Sequence, residues 1–303
     1  MARHHDRGRL HAGHVALLAA FAVVIVAFAV VFGLRIVGDD DPVDPNDAYG
    51  VAHVHGLGIN PADGSLIIAT HNGSFRLAAA EDDAERIGDS LQDTMGFSVI
   101  GPNRFLGSGH PDLPGRRAGQ PAQLGLIEST DAGATWTELS LGGQVDFHGL
   151  ASAHGQVYGW DSGSGRFMVS RDRRTWETRS TVDLLGFAVD PDDAGHVVAA
   201  GQKGLLESTD GGRTWTQADG PTLVAISWDA TAGLWGVDGD GGVHRFSSSE
   251  WTNVGALPGE AQALLATPDA LYAAAFDDTG RTGIYRSTDS GATWDLRFAD
   301  PAP

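Results

Sequence analysis

The stretch Ser208-Thr209-Asp210-Gly211-Gly212-Arg213-Thr214-Trp215 determines the fold of this 303-residue chain, because the chain repeats it. Closely similar phrases occupy residues 129–136 and 287–294, and a shortened copy without the glycine occupies residues 170–176. A fainter copy ends in a tryptophan as well. The closing tryptophans lie 36 to 43 residues apart, at Trp136, Trp176, Trp215, Trp251 and Trp294. A period of about 40 residues indicates one supersecondary unit copied along the chain.

The segments between these phrases share one order of short apolar strands and turns. In the clearest unit, an apolar strand at 184–189 leads to the turn Asp190-Pro191, and a second strand follows at 197–200. Comparable first strands are expected to begin near His53, Thr94, Asp146, Leu184, Thr222 and Gln262. Six four-stranded units predict an all-β, six-bladed β-propeller, a ring that hides its strand edges. The longer second unit contains residues 111–121, which we expect to form an irregular surface insertion.

The repeated phrase resembles the Asp-box, or bacterial neuraminidase repeat, Ser/Thr-x-Asp-x-Gly-x-x-Trp, of sialidase-like and sortilin-like propellers. The resemblance covers residues 50–298 and implies that the box aspartates stabilise turns away from the active face. These are Asp131, Asp172, Asp210 and Asp289. The residue types agree, because a carboxylate accepts backbone N–H bonds in a tight turn and a tryptophan ring packs between sheets. The opening segment 53–61 also resembles exported bacterial Asp-box proteins named glycosyl hydrolase-like, an analogy of fold that does not settle function.

An apolar run precedes the repeats. Residues 15–34 are twenty consecutive apolar, alanine or glycine residues, enough for a helix of about 30 Å, the thickness of a bilayer core. Arginines precede the run and aspartates follow it, so the positive-inside rule places the N-terminus in the cytoplasm. We expect a cytoplasmic segment at 1–14, one transmembrane helix at 15–37, an acidic linker at 38–49 and an extracytoplasmic propeller at 50–303. A cleaved signal peptide is the alternative.

The charge and the absence of cysteine limit the possible partners. The chain carries a net charge of −19, and residues 1–38 contribute +3, so the remainder carries −19 − 3 = −22. Such an acidic domain repels nucleic acid and attracts cations. Without cysteine the chain forms neither disulfides nor thiolate metal sites. We expect a membrane contact through the N-terminal helix and an extracytoplasmic ligand or protein as partner, and no nucleic acid.

Histidines concentrate in the first three units. In a propeller, the starts of first strands and the turns after second strands meet on one rim, so these positions predict a shared site. The candidate metal ligands are His53, His55, His71, His110, Asp146 and His148. Imidazoles with a nearby carboxylate are typical of zinc or copper sites. Further candidate ligand-binding residues on this rim are Met95, Asp112 and Asp161. Histidines that bond only each other and water are the alternative.

The sequence favours a binding protein over an enzyme. Sialidases need three arginines that grip a carboxylate, and no arginine occupies a predicted first-strand start. A different glycoside hydrolase remains the alternative, with two carboxylates chosen from Asp112, Glu128, Asp146 and Asp161. Acidic turns at 238–242 and 277–280 do not fit a calcium-loop spacing. The predicted function is a membrane-anchored, extracytoplasmic propeller that binds a ligand, metal ion or protein at its histidine-bearing face.

Overall fold

A computed structural model describes residues 50–300, which form six four-stranded antiparallel sheets, here called blades I to VI. The expectation of an all-β, six-bladed propeller is confirmed. Each blade consists of four strands consecutive in sequence, with the first strand innermost. The expected transmembrane helix and acidic linker lie outside the described residues. Within residues 50–300, no helix has the length and apolar character needed to cross a membrane.

The first three blades contain twelve strands. Blade I comprises β1 (Val54–Ile59), β2 (Leu66–Thr70), β3 (Gly73–Leu77) and β4 (Ala84–Arg86). Blade II comprises β5 (Asp93–Gly101), β6 (Arg104–His110), β7 (Leu126–Ser129) and β8 (Thr137–Ser140). Blade III comprises β9 (Phe147–Ala153), β10 (Gln156–Asp161), β11 (Arg166–Ser170) and β12 (Glu177–Thr181).

The last three blades contain the other twelve strands. Blade IV comprises β13 (Gly186–Val189), β14 (Val197–Gly201), β15 (Gly204–Ser208) and β16 (Thr216–Gln217). Blade V comprises β17 (Leu223–Asp229), β18 (Gly233–Asp238), β19 (Gly242–Ser247) and β20 (Glu250–Ala256). Blade VI comprises β21 (Glu260–Ala266), β22 (Leu271–Phe276), β23 (Thr282–Ser287) and β24 (Asp295–Ala299). The innermost strands begin within about two residues of the predicted positions.

Glycines in the innermost strands allow neighbouring blades to approach closely. A Cβ atom on Gly56 would lie 2.9 Å from the Cβ of Phe97 in blade II. A Cβ on Gly149 in blade III would lie 2.8 Å from the ring of Phe187 in blade IV. An aromatic ring from one blade therefore fills the space that a side chain would take in the blade before it. This close packing sets the spacing of the inner strands around the axis.

The repeated phrase forms a tight turn that also binds the preceding blade. In blade IV, the backbone N–H of Gly212 donates to Ser208 Oγ at 2.8 Å, and Ser208 Oγ donates to Asp210 Oδ1 at 2.8 Å. The backbone N–H of Thr214 also donates to Asp210 Oδ1, at 2.9 Å. The indole N–H of Trp215 then donates to Ser180 Oγ of blade III at 3.0 Å. Each turn thus combines local hydrogen bonds with a contact between blades.

Side chains rather than a shared strand close the ring between blades VI and I. Val54 N–H donates to Gln262 Oε1 at 2.6 Å, and Val51 N–H donates to Asp300 Oδ1 at 2.8 Å. Buried apolar residues from both blades form one core cluster, which includes Val51, Val54, Leu66, Ala274, Ile284 and Phe298. Blades VI and I are therefore held together by apolar packing and side-chain hydrogen bonds, and no blade combines strands from both ends of the propeller.

The insertion of blade II contains a short helix that sequence periodicity did not predict. Helix α1 spans Leu113–Arg117, and Asp112 Oδ1 accepts the backbone N–H of Gly115 at 2.7 Å as its N-cap. Five residues are too few for a periodic apolar pattern, which explains why no such pattern was visible. The insertion is otherwise exposed, and Leu113 has 60% of its surface in solvent.

We expect Ser208→Ala to lower the free energy of unfolding by about 1–3 kcal/mol, because the buried N–H of Gly212 loses its acceptor. Ser247→Ala, at an exposed position of β19, is the matched control and should change stability by less than about 0.5 kcal/mol. Chemical denaturation of both variants measures the difference. Equal stability of the two variants would contradict a structural role for the repeated turn.

Candidate metal site at the histidine-bearing rim

The structure brings the predicted histidines together through three blades. His53 immediately precedes β1 and His55 lies within it, while His71 occupies the turn between β2 and β3. His110 ends β6 of blade II, and His148 lies near the start of β9 in blade III. Starts of first strands and ends of second strands are adjacent in each blade, as the pairing of Asp93 with His110 illustrates. Four of these histidines, without His53, form two clusters, each of two histidines and one aspartate.

The first cluster, triad I, consists of His55, His71 and Asp93. His71 Nδ1 lies 3.0 Å from Asp93 Oδ2, and His55 Nε2 lies 3.2 Å from Asp93 Oδ1. One potential ligand atom of each residue lies within 4.8 Å of the others. The side chain of His55 is 9% exposed and that of His71 is 56% exposed, so the cluster opens to solvent on one side. The ring of His53 lies 4.6 Å from that of His55, centroid to centroid.

The second cluster, triad II, consists of His110, Asp146 and His148. His148 Nε2 lies 2.9 Å and His110 Nε2 lies 3.4 Å from the same oxygen, Asp146 Oδ2. His110 Nδ1 lies 2.8 Å from the carbonyl oxygen of Ala122, which can only accept. Nδ1 therefore carries a hydrogen, and Nε2 of a neutral His110 ring would present its lone pair to the other members of the triad. Ala122 follows the insertion, so this loop orients a candidate ligand.

Burial and mutual contacts shift the pKa values of both clusters. Burial, with the neighbouring His55 and His71, lowers the pKa of His53 to about 4, so this ring is neutral near pH 7. The contact with Asp93 raises the pKa of His71, and the contact with Asp146 raises that of His110 to about 9. Burial alone would raise the pKa of Asp93, but His55 and His71 outweigh it and lower the pKa to about 2. His110 and His148 likewise outweigh burial and lower the pKa of Asp146.

Several buried ligand atoms in the two triads have no hydrogen-bond partner. His55 Nε2 and Asp93 Oδ1 are close enough for an ion pair but do not have hydrogen-bond geometry, and Asp146 Oδ1 also has no partner. Buried polar atoms are seldom left in this condition, because each costs the free energy of its lost hydration. These atoms are donors suited to a cation: imidazole nitrogen and carboxylate oxygen.

The other predicted ligand-binding residues have different environments. Met95 lines the central cavity together with His55 and His148. Asp112 uses Oδ1 to cap helix α1 and Oδ2 to accept the N–H of Leu91. Asp161 is buried, forms an ion pair with Arg166 at 2.9 Å and accepts the N–H of Asp146 at 3.0 Å. Asp161 thus supports the backbone beside triad II, and neither Asp112 nor Asp161 belongs to a triad.

Sequence reasoning missed Asp93. This residue begins β5 next to the predicted first-strand start, so its position in blade II corresponds to that of Asp146 in blade III. An alignment of the first-strand starts of the six blades would have placed Asp93 opposite Asp146 and so identified it as a candidate ligand. Of the remaining histidines in the described chain, His196 lies between Asp190 and Glu207, and His244 contacts Asp238. Neither belongs to either triad.

A central cavity extends from the histidines along the propeller axis. Its volume is about 890 Å³, and the innermost strands of all six blades line it. Its wall combines polar and apolar surface in similar amounts and includes the side chains of His55, His148, Arg286 and Asp269. A cavity of this size accommodates a small organic ligand.

Comparisons with known proteins support the propeller fold, but they do not assign the chain to a family. No family model matches the chain. The chain is 34% identical over 93 residues to the dispase autolysis-inducing protein of Streptomyces mobaraensis, a match that spans 30% of this chain and 25% of that protein. The matched region is therefore a small part of both sequences.

Solved propeller structures resemble the fold at low sequence identity. A GH74 enzyme from Niastella koreensis matches with a TM-score of 0.57 and 16% identity, over 82% of this chain and 45% of that one. A gluconolactonase from Xanthomonas campestris matches with a TM-score of 0.56 and 16% identity, over 84% and 88%. A chain of a nidogen/laminin complex matches with a TM-score of 0.58 and 14% identity, over 77% and 92%. The neighbours thus include enzymes and a protein complex.

The raised pKa of His110 makes stability depend on pH. Its folded-state pKa of about 9 exceeds the unfolded value of about 6.5, so its proton stabilises the fold below about pH 6.5. This contribution is lost as the pH rises through about 9. For chelator-treated protein, we expect the free energy of unfolding to fall between about pH 6 and pH 10 by an amount on the order of 1 kcal/mol more than for His110→Asn, since a part-exposed side chain is screened by solvent.

Denaturant unfolding of both proteins at each pH measures this difference. Because His71, whose pKa is also raised, is present in both proteins, the comparison isolates the contribution of His110. Parallel stability profiles for the two proteins would contradict the assignment.

Proposed function

We propose that this protein is a membrane-anchored, extracytoplasmic propeller that binds divalent transition-metal ions, zinc or copper, at its histidine-bearing rim. The observation that carries the proposal is the set of buried ligand atoms without hydrogen-bond partners: His55 Nε2, Asp93 Oδ1 and Asp146 Oδ1. One cation in triad I would compensate His55 Nε2 and Asp93 Oδ1, and a second in triad II would compensate Asp146 Oδ1. Two imidazoles and one carboxylate in each triad are a common ligand set for these metals.

The ligand count favours metal sites that remain open to a further partner. Three protein ligands leave at least one coordination position for water or an exogenous ligand. Triad I is half open to solvent at His71, and the neutral ring of His53 is near enough to add a fourth ligand through a side-chain rotation. Triad II borders the insertion through Ala122. A ligand or protein partner bound through the metal ions would therefore contact this rim.

The anchoring and the family assignment rest on the sequence. The apolar run at 15–34, with arginines before it and aspartates after it, supports a single N-terminal anchor with the propeller outside the cell. The hydrogen-bonded turns that begin at Ser129, Ser208 and Ser287 support membership of the Asp-box propellers, because each joins its serine and aspartate in the same way. In that family the turns are structural, which agrees with a site on the other rim.

We expect chelator-treated full-length protein to bind two Zn²⁺ ions, one at each triad. His55→Ala should remove the triad I ion and His148→Ala the triad II ion, so each variant retains one. The matched control is His196→Asn, which changes a histidine that also lies between two carboxylates but belongs to neither triad. Isothermal titration calorimetry measures the stoichiometry. Absence of binding heat for the unsubstituted protein, or unchanged stoichiometry in both alanine variants, would refute the proposal.

A glycoside hydrolase is the second candidate, because the fold matches a GH74 enzyme. Its usual mechanism needs two carboxylates that face the substrate. Three of the four candidates already have partners: Asp112 caps a helix, Asp161 pairs with Arg166, and Glu128 pairs with Arg104 and Arg173. These contacts favour the binding role.

We therefore expect no turnover of a panel of fluorogenic glycosides, sialosides included, by the full-length protein. Asp146→Asn is the informative variant, because it removes the remaining candidate carboxylate. Turnover that persists in chelator and disappears in this variant would support the hydrolase instead of the metal-binding protein.

A further inference from the structure

Arg286 places a positive charge in the central cavity, away from the two triads. It lies in β23 of blade VI and pairs in register with Tyr272 of β22. Its guanidinium carbon is 5.9 Å from the centroid of the Tyr272 ring, and both residues line the cavity. Neighbouring positions on the same strands, Ile284 and Ala274, pack in the core shared with blade I. Arg286 therefore faces the junction of blades VI and I, next to the repeated turn that begins at Ser287.

The guanidinium of Arg286 forms no ion pair within the described chain. Its Nε atom is buried and has no hydrogen-bond partner, and no carboxylate within residues 50–300 forms an ion pair with it. Eight other arginines do form ion pairs: Arg76, Arg104, Arg166, Arg173, Arg179, Arg213, Arg281 and Arg297. A partly buried cation without a partner is costly, and it is unexpected in a protein with this excess of acidic residues.

The surroundings of Arg286 define the ligand that would compensate it. Leu57, Ile59 and Leu265 are partly buried apolar residues beside Tyr272 in the same cavity. They offer an apolar wall next to a planar, five-donor cation, which matches a carboxylate bidentately. Asp229 and Asp269 also line the cavity and would repel an anion of higher charge. The combination selects a small monocarboxylate with an apolar or aromatic body.

We infer that the cavity holds a second ligand site, in which Arg286 binds the carboxylate of a small apolar acid between blades VI and I. The acid's body packs against Tyr272, Leu57 and Ile59, and its charge compensates the unpartnered guanidinium. This site uses none of the residues of triads I and II, so it is independent of metal binding.

The test uses 4-fluorophenylacetate as probe and ¹⁹F NMR line broadening as readout, with chelator-treated full-length protein. Chelation removes metal ions that could otherwise bind the probe at the histidines. We expect binding to the unsubstituted protein, and binding weaker by about tenfold or more in Arg286→Gln, which removes a charge-assisted hydrogen-bond donor. Neutral 4-fluorophenylacetamide should bind the unsubstituted protein as weakly as the acid binds the variant.

Arg245→Gln is the matched control. Arg245 pairs in register with Trp235 in blade V, and its guanidinium lies 5.2 Å from that ring, but its side chain is exposed and does not line the central cavity. This variant should bind the probe like the unsubstituted protein. Arg286→Lys keeps the charge without the bidentate geometry and should bind the probe with intermediate affinity. If circular dichroism shows that Arg286→Gln does not fold, Arg286→Lys replaces it in the test. No binding to the unsubstituted protein, or equal binding to all variants, would overturn the inference.

Discussion

The packing of the tryptophan of each repeated turn against the blade before it is the interaction on which this structure depends. Trp215 donates to Ser180 of blade III, and Trp176 donates to Ser140 of blade II in the same way. The indole rings themselves pack in the interface between the blades. The centroid of the Trp215 ring, for example, lies 5.3 Å from that of the Phe167 ring. One local motif thus fixes both a turn and the angle to its neighbour. Repetition of that angle produces a ring, and the ring determines which residues can meet.

The histidine-bearing rim is the principal chemical consequence of that ring. Residues 55, 71 and 93 become neighbours in triad I, and residues 110, 146 and 148 become neighbours in triad II, although each set spans two blades. Each triad places an ionised aspartate between two imidazoles. In triad II, the lowered carboxyl pKa of Asp146 and the raised pKa of His110 result from the same attraction. Such pairs stabilise the metal-free fold. A metal ion must displace the proton of His110, so metal binding and protonation compete at triad II.

The central cavity joins two regions of opposite character. Near the triads its polar groups are imidazole nitrogens and carboxylate oxygens, whereas Arg286, which forms no ion pair within residues 50–300, supplies a positive charge at the junction of blades VI and I. The inner strands also contribute apolar side chains and glycine backbone to the cavity wall. Because the same glycines permit close packing of the blades, the dimensions of the cavity follow from the requirements of the fold. One propeller domain therefore contains both regions.

The sequence by itself determined the repeat, the number of blades, the starts of the inner strands and the rim on which the histidines lie, because all of these follow from local patterns with a fixed period. Only the tertiary structure decided which carboxylates join them. Asp93 completes triad I, whereas Asp112 caps helix α1 and Asp161 pairs with Arg166. It also decided that Arg286 forms no ion pair within residues 50–300 and that its Nε has no hydrogen-bond partner. The physical reason is that side-chain pairing depends on distances of a few ångströms between residues far apart in sequence, and those distances exist only once the ring has closed.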